Sequence, residues 1–234
     1  MPNHTSNRMV VTADAEILEK ILATHFDASG TLDLNTIVPM PEEIRNTEAG
    51  TSSYRSERLL AGQYSALSPL VPGVENCTSR EEAFAFIRES GHPELVDAAL
   101  RQEHLLKTYG ASTWYDWAIN NWGTKWGCYD GSVGEVFGGA LEAMFQSAWS
   151  PPSPALAVLS EFYPDATFTV DSLDEGGLFA VTNVYRAGVL VNSRDWDWNE
   201  LASEVFDIVL DDEDSEDEPE ARTPPTGYRA IRLS

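Results

Sequence analysis

The chain has 234 residues, of which 42% are hydrophobic and 10% aromatic; it is long enough to bury a proper core, and its composition excludes a disordered polypeptide. A formal net charge of −23 repels nucleic-acid phosphates and anionic lipid and attracts basic surfaces. The two cysteines, Cys77 and Cys128, lie far apart and exclude a disulfide framework or a structural zinc site, which points to a reducing cytoplasm.

In chain order, Met1–Thr5 carries no basic region followed by an apolar run, so no secretion signal is expected. No run of about 18 apolar residues occurs, so no membrane span is expected either. The β-formers over Asn7–Ala13 predict a strand. Asp14 then opens a helix to about Phe26, whose apolar stripe is Ile17, Leu18, Ile21, Leu22 and Phe26. Leu32-Asp33-Leu34-Asn35 alternates like a second strand and is stopped by Pro39 and Pro41, giving a β-α-β opening.

Residues 42–68 read as loop with short helical pieces. Ser79-Arg80-Glu81-Glu82 is a capping box for a helix that Gly91 stops. A further helix starts at Pro93 and ends at Gly110, and a short one begins near Thr113 and breaks at Gly123. The middle of the chain, about 55–120, is therefore a helical insertion.

Leu141, Ala143, Phe145, Ser147 and Trp149 occupy alternate positions, which predicts a strand against the helix propensity of Ala-Leu-Glu-Ala-Met. Pro151–Pro154 turns the chain into a helix to about Phe162. Strands follow at 167–171, 178–184 and 189–191, the first two joined by a turn at Asp174–Gly177. The expected fold is α+β: helices on one face of a mainly antiparallel sheet, forming one domain over 1–192. The remainder, 193–234, reads as an amphipathic helix and a solvated acidic tail. Between Asp195 and Glu220 there are 13 acidic residues and no Lys or Arg, about a third of all the acids.

Four of the seven tryptophans fall between Trp114 and Asp130. Each buried indole supplies a few kcal/mol of apolar burial, so the stretch is either the hub of a core or a binding surface. In the core reading it packs under the sheet, with Gly123 and Gly127 permitting tight turns and Lys125 covering an indole. In the groove reading Trp114, Trp117, Trp122, Lys125, Trp126, Tyr129 and Trp149 hold a ligand or partner side chain, with Asp130 orienting Lys125. Both readings stay open.

Catalytic signals are missing from the sequence. His4, His25, His92 and His104 show no HxxxH or HxH spacing, and there is no GxSxG, P-loop or GxGxxG opening a helix. Nothing marks Cys128 as a nucleophile, and the scattered carboxylates predict no metal site. No cofactor is expected. RNA binding through sheet aromatics would need basic flanks and a Lys/Arg-Gly-Phe-like strand, and neither is present.

Asn3-His4 with Asn7-Arg8, Pro39-Met40-Pro41-Glu42-Glu43, Asn121-Trp122-Gly123-Thr124-Lys125-Trp126 and Ala148-Trp149-Ser150-Pro151-Pro152 occur in an order that resembles the YubB-like family of plasmid and phage proteins. The resemblance covers roughly 1–50 and 112–185 and leaves the residues after Asn192 outside it. It implies a ferredoxin-like domain with a helical insertion and a mobile-element origin, and it lends no catalytic residues. The expected function is protein binding in the cytoplasm of a bacterial host, with a basic host protein as partner and the acidic tail as a mimic of a phosphate backbone. The alternative is a small-molecule-binding protein or enzyme using the groove around 114–130.

Overall fold

The computed structural model describes residues 3–208. Strand β1 (His4–Thr12) leads into helix α1 (Ala15–His25), and then come the helices of the insertion: α2 (Glu42–Arg45), α3 (Thr51–Leu60), α4 (Arg80–Glu89), α5 (Pro93–Tyr109) and α6 (Trp114–Asn121). The chain re-enters the sheet as β2 (Tyr129–Val133) and β3 (Ala140–Ala148) and crosses through α7 (Ser153–Phe162). It then runs through β4 (Thr167–Asp174), β5 (Ala180–Arg186) and β6 (Val189–Asp195) into α8 (Trp198–Phe206).

The six strands lie in the order β2-β3-β1-β4-β5-β6, and every pairing is antiparallel. The first four form a ferredoxin-like unit: two split β-α-β crossovers through α1 and α7, each leaving room for one strand between the pair it joins. β5 and β6 extend the sheet beyond β4. Burial alternates along β1, with Thr5, Asn7, Met9 and Val11 inside, because successive side chains of a strand point to opposite faces.

The apolar inner row of Met9, Val11, Leu141, Ala143, Phe145, Phe168 and Val170 packs with Leu18 and Ile21 of α1 and with Ala155, Leu156 and Leu159 of α7. The expected strand at 141–149 is β3, and here the alternating pattern prevails over helix propensity, since Leu141, Ala143, Phe145 and Ser147 are all buried. α8 is an addition on the opposite face. Its Leu201 and Ala202 cover Leu173 and Ala180, which are directly paired across β4 and β5, and Trp198 Nε1 donates to Asp174 O at 2.7 Å.

The expected second strand needs correction. Leu32–Asn35 is not a strand: Phe26 and Leu32 make one isolated bridge, and Leu34–Thr36 is a 3-10 turn. The Asp33 carboxylate accepts from Asn35 N at 2.9 Å, so the side chain supplies the backbone partner that a neighbouring strand would have given. The true second strand is β2, about a hundred residues later, so the whole insertion sits inside the first crossover. Its signal was weak, the strand being five residues long, bulged between Tyr129 and Ser132, and bent at Asp130 with φ 48°.

The insertion has its own small core of Leu59, Leu67, Val71, Val74, Phe84, Ile87 and Val96. It joins the main core through Ile44, Leu105, Ala111 and the tryptophans of α6. The expected capping of α4 holds in part: Ser79 Oγ accepts from Glu82 N at 3.1 Å, while the Glu82 carboxylate takes Thr78 N at 2.8 Å in place of the cap's own N–H. The boundary expected at 192/193 falls inside β6. The tail at 211–219 lies outside the described residues.

His25 closes α1 and is buried. Its Nδ1 meets Thr36 Oγ1 at 2.8 Å and its Nε2 meets the Tyr163 hydroxyl at 3.0 Å. Burial pushes its pKa below the ordinary value, Lys20 adds to that, and Asp33 opposes it. The folded state therefore holds the ring neutral while the unfolded chain takes a proton below about pH 6.5. This favours unfolding progressively as pH falls through that value, by up to about 1.4 kcal/mol per pH unit until the folded pKa is reached. The difference in Tm between wild type and His25→Gln, a polar side chain that cannot titrate, is expected to shrink between about pH 7.5 and 5.5. An unchanged gap would mean that His25 does not titrate in this range.

Candidate functional site

The tryptophan stretch divides into a buried half and a half-buried one. Thr113 Oγ1 accepts from Asp116 N at 3.1 Å and starts α6, whose buried side carries Trp117 and Ala118. Trp122, just past the helix end, is 4% exposed; its Nε1 donates to Val38 O at 2.8 Å, and its ring stands edge-on to Trp117 with centroids 5.4 Å apart. These two indoles belong to the main core.

The other half forms a chain of rings at the surface. Trp114 meets Tyr115 edge-on at 6.0 Å, Tyr115 meets Trp149 edge-on at 6.0 Å, and the Lys125 ammonium lies 4.6 Å from the Trp149 ring and 4.9 Å from the Trp126 ring. All five side chains are half-buried. Among the described residues Lys125 makes no ion pair, so two indole faces hold it in place of Asp130. Asp130 is exposed at the outer end of β2. Tyr129 turns elsewhere, its hydroxyl 2.7 Å from His4 Nδ1.

Trp149 ends the alternating run of β3 in the left-handed region, φ 73°, with its N–H donating to Asn3 O at 2.9 Å. A bulky residue at positive φ is an outlier. The surrounding loops hold it there: Thr124 Oγ1 donates to Ala148 O at 2.8 Å and accepts from Ala148 N at 3.0 Å, and Ser150 Oγ donates to Gly123 O at 2.6 Å. The ends of β3 and α6 are thereby tied, which brings Lys125 and Trp126 to Trp149.

The arrangement can stack on, and exclude water from, an apolar group. Cys128 adds no nucleophile, because burial, helped by Asp33, pushes its thiol up and keeps it protonated at neutral pH. No group of three or more His, Cys, Asp or Glu converges among the described residues. Sequence reasoning missed Tyr115, which joins Trp114 to Trp149. Its position between two helix-borne tryptophans was the available signal.

The sequence also gave no warning of the opposite sheet face. Met144, Arg8, Asp171, Thr182 and Arg194 stand in one row across β3, β1, β4, β5 and β6. Arg8 pairs with Glu142 at 2.6 Å, Thr182 Oγ1 donates to Asp171 at 2.6 Å, and Trp196 Nε1 donates to Thr182 Oγ1 at 2.8 Å.

These features define an α+β protein with a ferredoxin-like sheet, a helical insertion and an aromatic surface at the insertion's return. Residues 121–222 match the family model described as the ferredoxin-like domain in Api92-like protein. The match begins at the end of α6, leaves the central strand β1 outside, and runs through β6, α8 and the acidic run. The crystal structure of a protein api92 from Yersinia pseudotuberculosis is similar over 84% of this chain and 98% of that one, at 12% identity and a TM-score of 0.44. No curated protein matches the chain. Among the described residues no helix is long and apolar enough to cross a membrane.

Proposed function

We propose that this chain is a non-enzymatic protein that acts by binding another protein through the half-buried face of Trp114, Tyr115, Lys125, Trp126 and Trp149. The observation that carries the reading is the Lys125 ammonium seated between the rings of Trp126 and Trp149, without an ion pair among the described residues. Large, rigid aromatics beside a fixed cation are the composition of an interface centre, where water exclusion makes each contact count. A surface charge of this sign favours a basic partner and speeds encounter with it.

The setting comes from the resemblance to plasmid and phage proteins: a mobile element acting in the bacterial cytoplasm, with a host defence protein as target. In that setting residues 211–220 serve as a decoy for a phosphate backbone. The alternative, a small molecule held in a tryptophan-lined groove, is less supported because Trp117 and Trp122 lie in the core and cannot line it.

The test uses the full-length chain as bait in host lysate over a salt gradient. The expected result is a partner whose retention falls steeply with salt and drops at least tenfold with Lys125→Ala or Trp126→Ala. Retention that survives both substitutions removes the aromatic face as the contact. Deleting residues 211–220 without loss of affinity removes the decoy.

A further inference from the structure

We infer that the cavity between the end of α5 and the outer side of α6 is a seat for an arginine side chain of a basic partner. The inference rests on the protein-binding reading above and names what the partner presents.

The cavity measures about 320 Å³, and its walls include Leu106, Gly110, Tyr115, Asp116, Ile119 and Asn120. Tyr115 belongs both to this cavity and to the row of rings that ends at Lys125, so the two form one continuous surface.

Four features select a cation on a long apolar stem. First, α5 is 17 residues long and ends at the rim, where Gly110 at φ 71° returns its N–H to Leu106 O at 3.0 Å. Among the described residues the carbonyls of Lys107, Thr108 and Tyr109 accept no backbone N–H, so the negative end of the helix dipole stands uncompensated by the backbone. Second, the last-turn cation that would ordinarily answer it, Lys107, is turned back to Glu103 at 3.2 Å. Third, Asp116 uses Oδ2 to accept from Thr113 Oγ1 at 2.7 Å, while Oδ1 has no hydrogen bond among the described residues. Fourth, Leu106, 54% exposed, and Ile119 offer apolar walls to a stem, and Tyr115 offers a ring.

No Lys or Arg lines the cavity among the described residues. Arginine fits better than lysine because its planar fork can meet Asp116 and stack on Tyr115 while its stem lies on Leu106 and Ile119.

The test is methyl NMR of the full-length protein titrated with a short capped peptide carrying one central arginine, and with the same peptide carrying neutral citrulline. Saturable shifts are expected at the Leu106 and Ile119 methyls, at least tenfold weaker for citrulline and for Asp116→Asn. Asn120→Lys, at an exposed position of α6, puts a competing ammonium at the rim and should abolish them. Three results overturn the inference: no shift at these methyls, equal affinity for citrulline, or binding indifferent to both substitutions. If the seat fails while Lys125→Ala still releases the captured partner, the aromatic-face reading stands; if capture is also indifferent to Lys125, both fall.

Discussion

Trp122→Ala is expected to destabilise the protein by about 3–5 kcal/mol and to lower its Tm on the order of 10 °C, whereas Trp126→Ala, four residues on, should cost about 1 kcal/mol. The contrast follows from where the indoles sit. Removing Trp122 empties a site 4% exposed, strips Trp117 of its edge-on partner and leaves Val38 O without its donor. A part-buried carbonyl left without its donor and the cavity left by the indole add to each other. Trp126 is half-buried and stands over Lys125, so its loss exposes a side chain that water can solvate. Thermal unfolding of both variants, run beside partner capture, separates them: Trp122→Ala loses fold first, and Trp126→Ala loses capture with the fold intact. Equal effects on Tm would contradict the division of the stretch into a core half and a surface half.

Gly123→Ala is expected to cost about 2–4 kcal/mol, while Gly127→Ala should be close to neutral. Gly123 follows the end of α6 at φ 84° and returns its N–H to Ala118 O at 3.1 Å, the left-handed helix stop that a Cβ penalises. A Cβ there would also overlap Pro154 Cδ in the first turn of α7, and a proline ring cannot swing aside. A Cβ at Gly127 meets nothing within 4 Å, and its φ is not positive. Because the overlap is with one ring, Pro154→Ala should recover part of the loss, and the double variant should be less destabilised than the sum of the singles. Strict additivity in denaturant titrations would mean that the strain is purely local to the backbone. The same contact has functional weight, since Gly123 joins the loop that carries Lys125 to the loop that carries Trp149.

Much of the architecture was legible in the residues. β1, α1, α4, α5, α7 and β3 carry the period or punctuation of their elements because each buries one face, and burial writes its period into the sequence, whereas β4 to β6 are marked by β-forming residues and the turns between them, β6 being exposed along its whole length. Alternation along Leu141–Ser147 was a better guide than helix propensity for that reason. The second strand was misplaced because both clues failed together: Leu32–Asn35 alternates yet is satisfied locally by Asp33, and β2 is only five residues long, with Tyr129, Gly131 and Val133 half-buried on its inner side. Propensity and spacing describe local preference, whereas strand membership depends on which edge is free after the crossover closes.

By itself the sequence determined a folded, strongly acidic α+β chain with a helical insertion and a concentration of indoles at the insertion's return. Only the tertiary structure decided that Trp117 and Trp122 are core while Trp114, Trp126 and Trp149 are half-buried at its edge. It alone seated Lys125 between two rings and opened a cavity beneath Tyr115 where α5 ends. Indole, ammonium and carboxylate have the same chemistry in either place. Whether each meets another side chain or water is set by contacts between residues such as Val38, Ala148 and Trp149, which spacing along the chain does not encode.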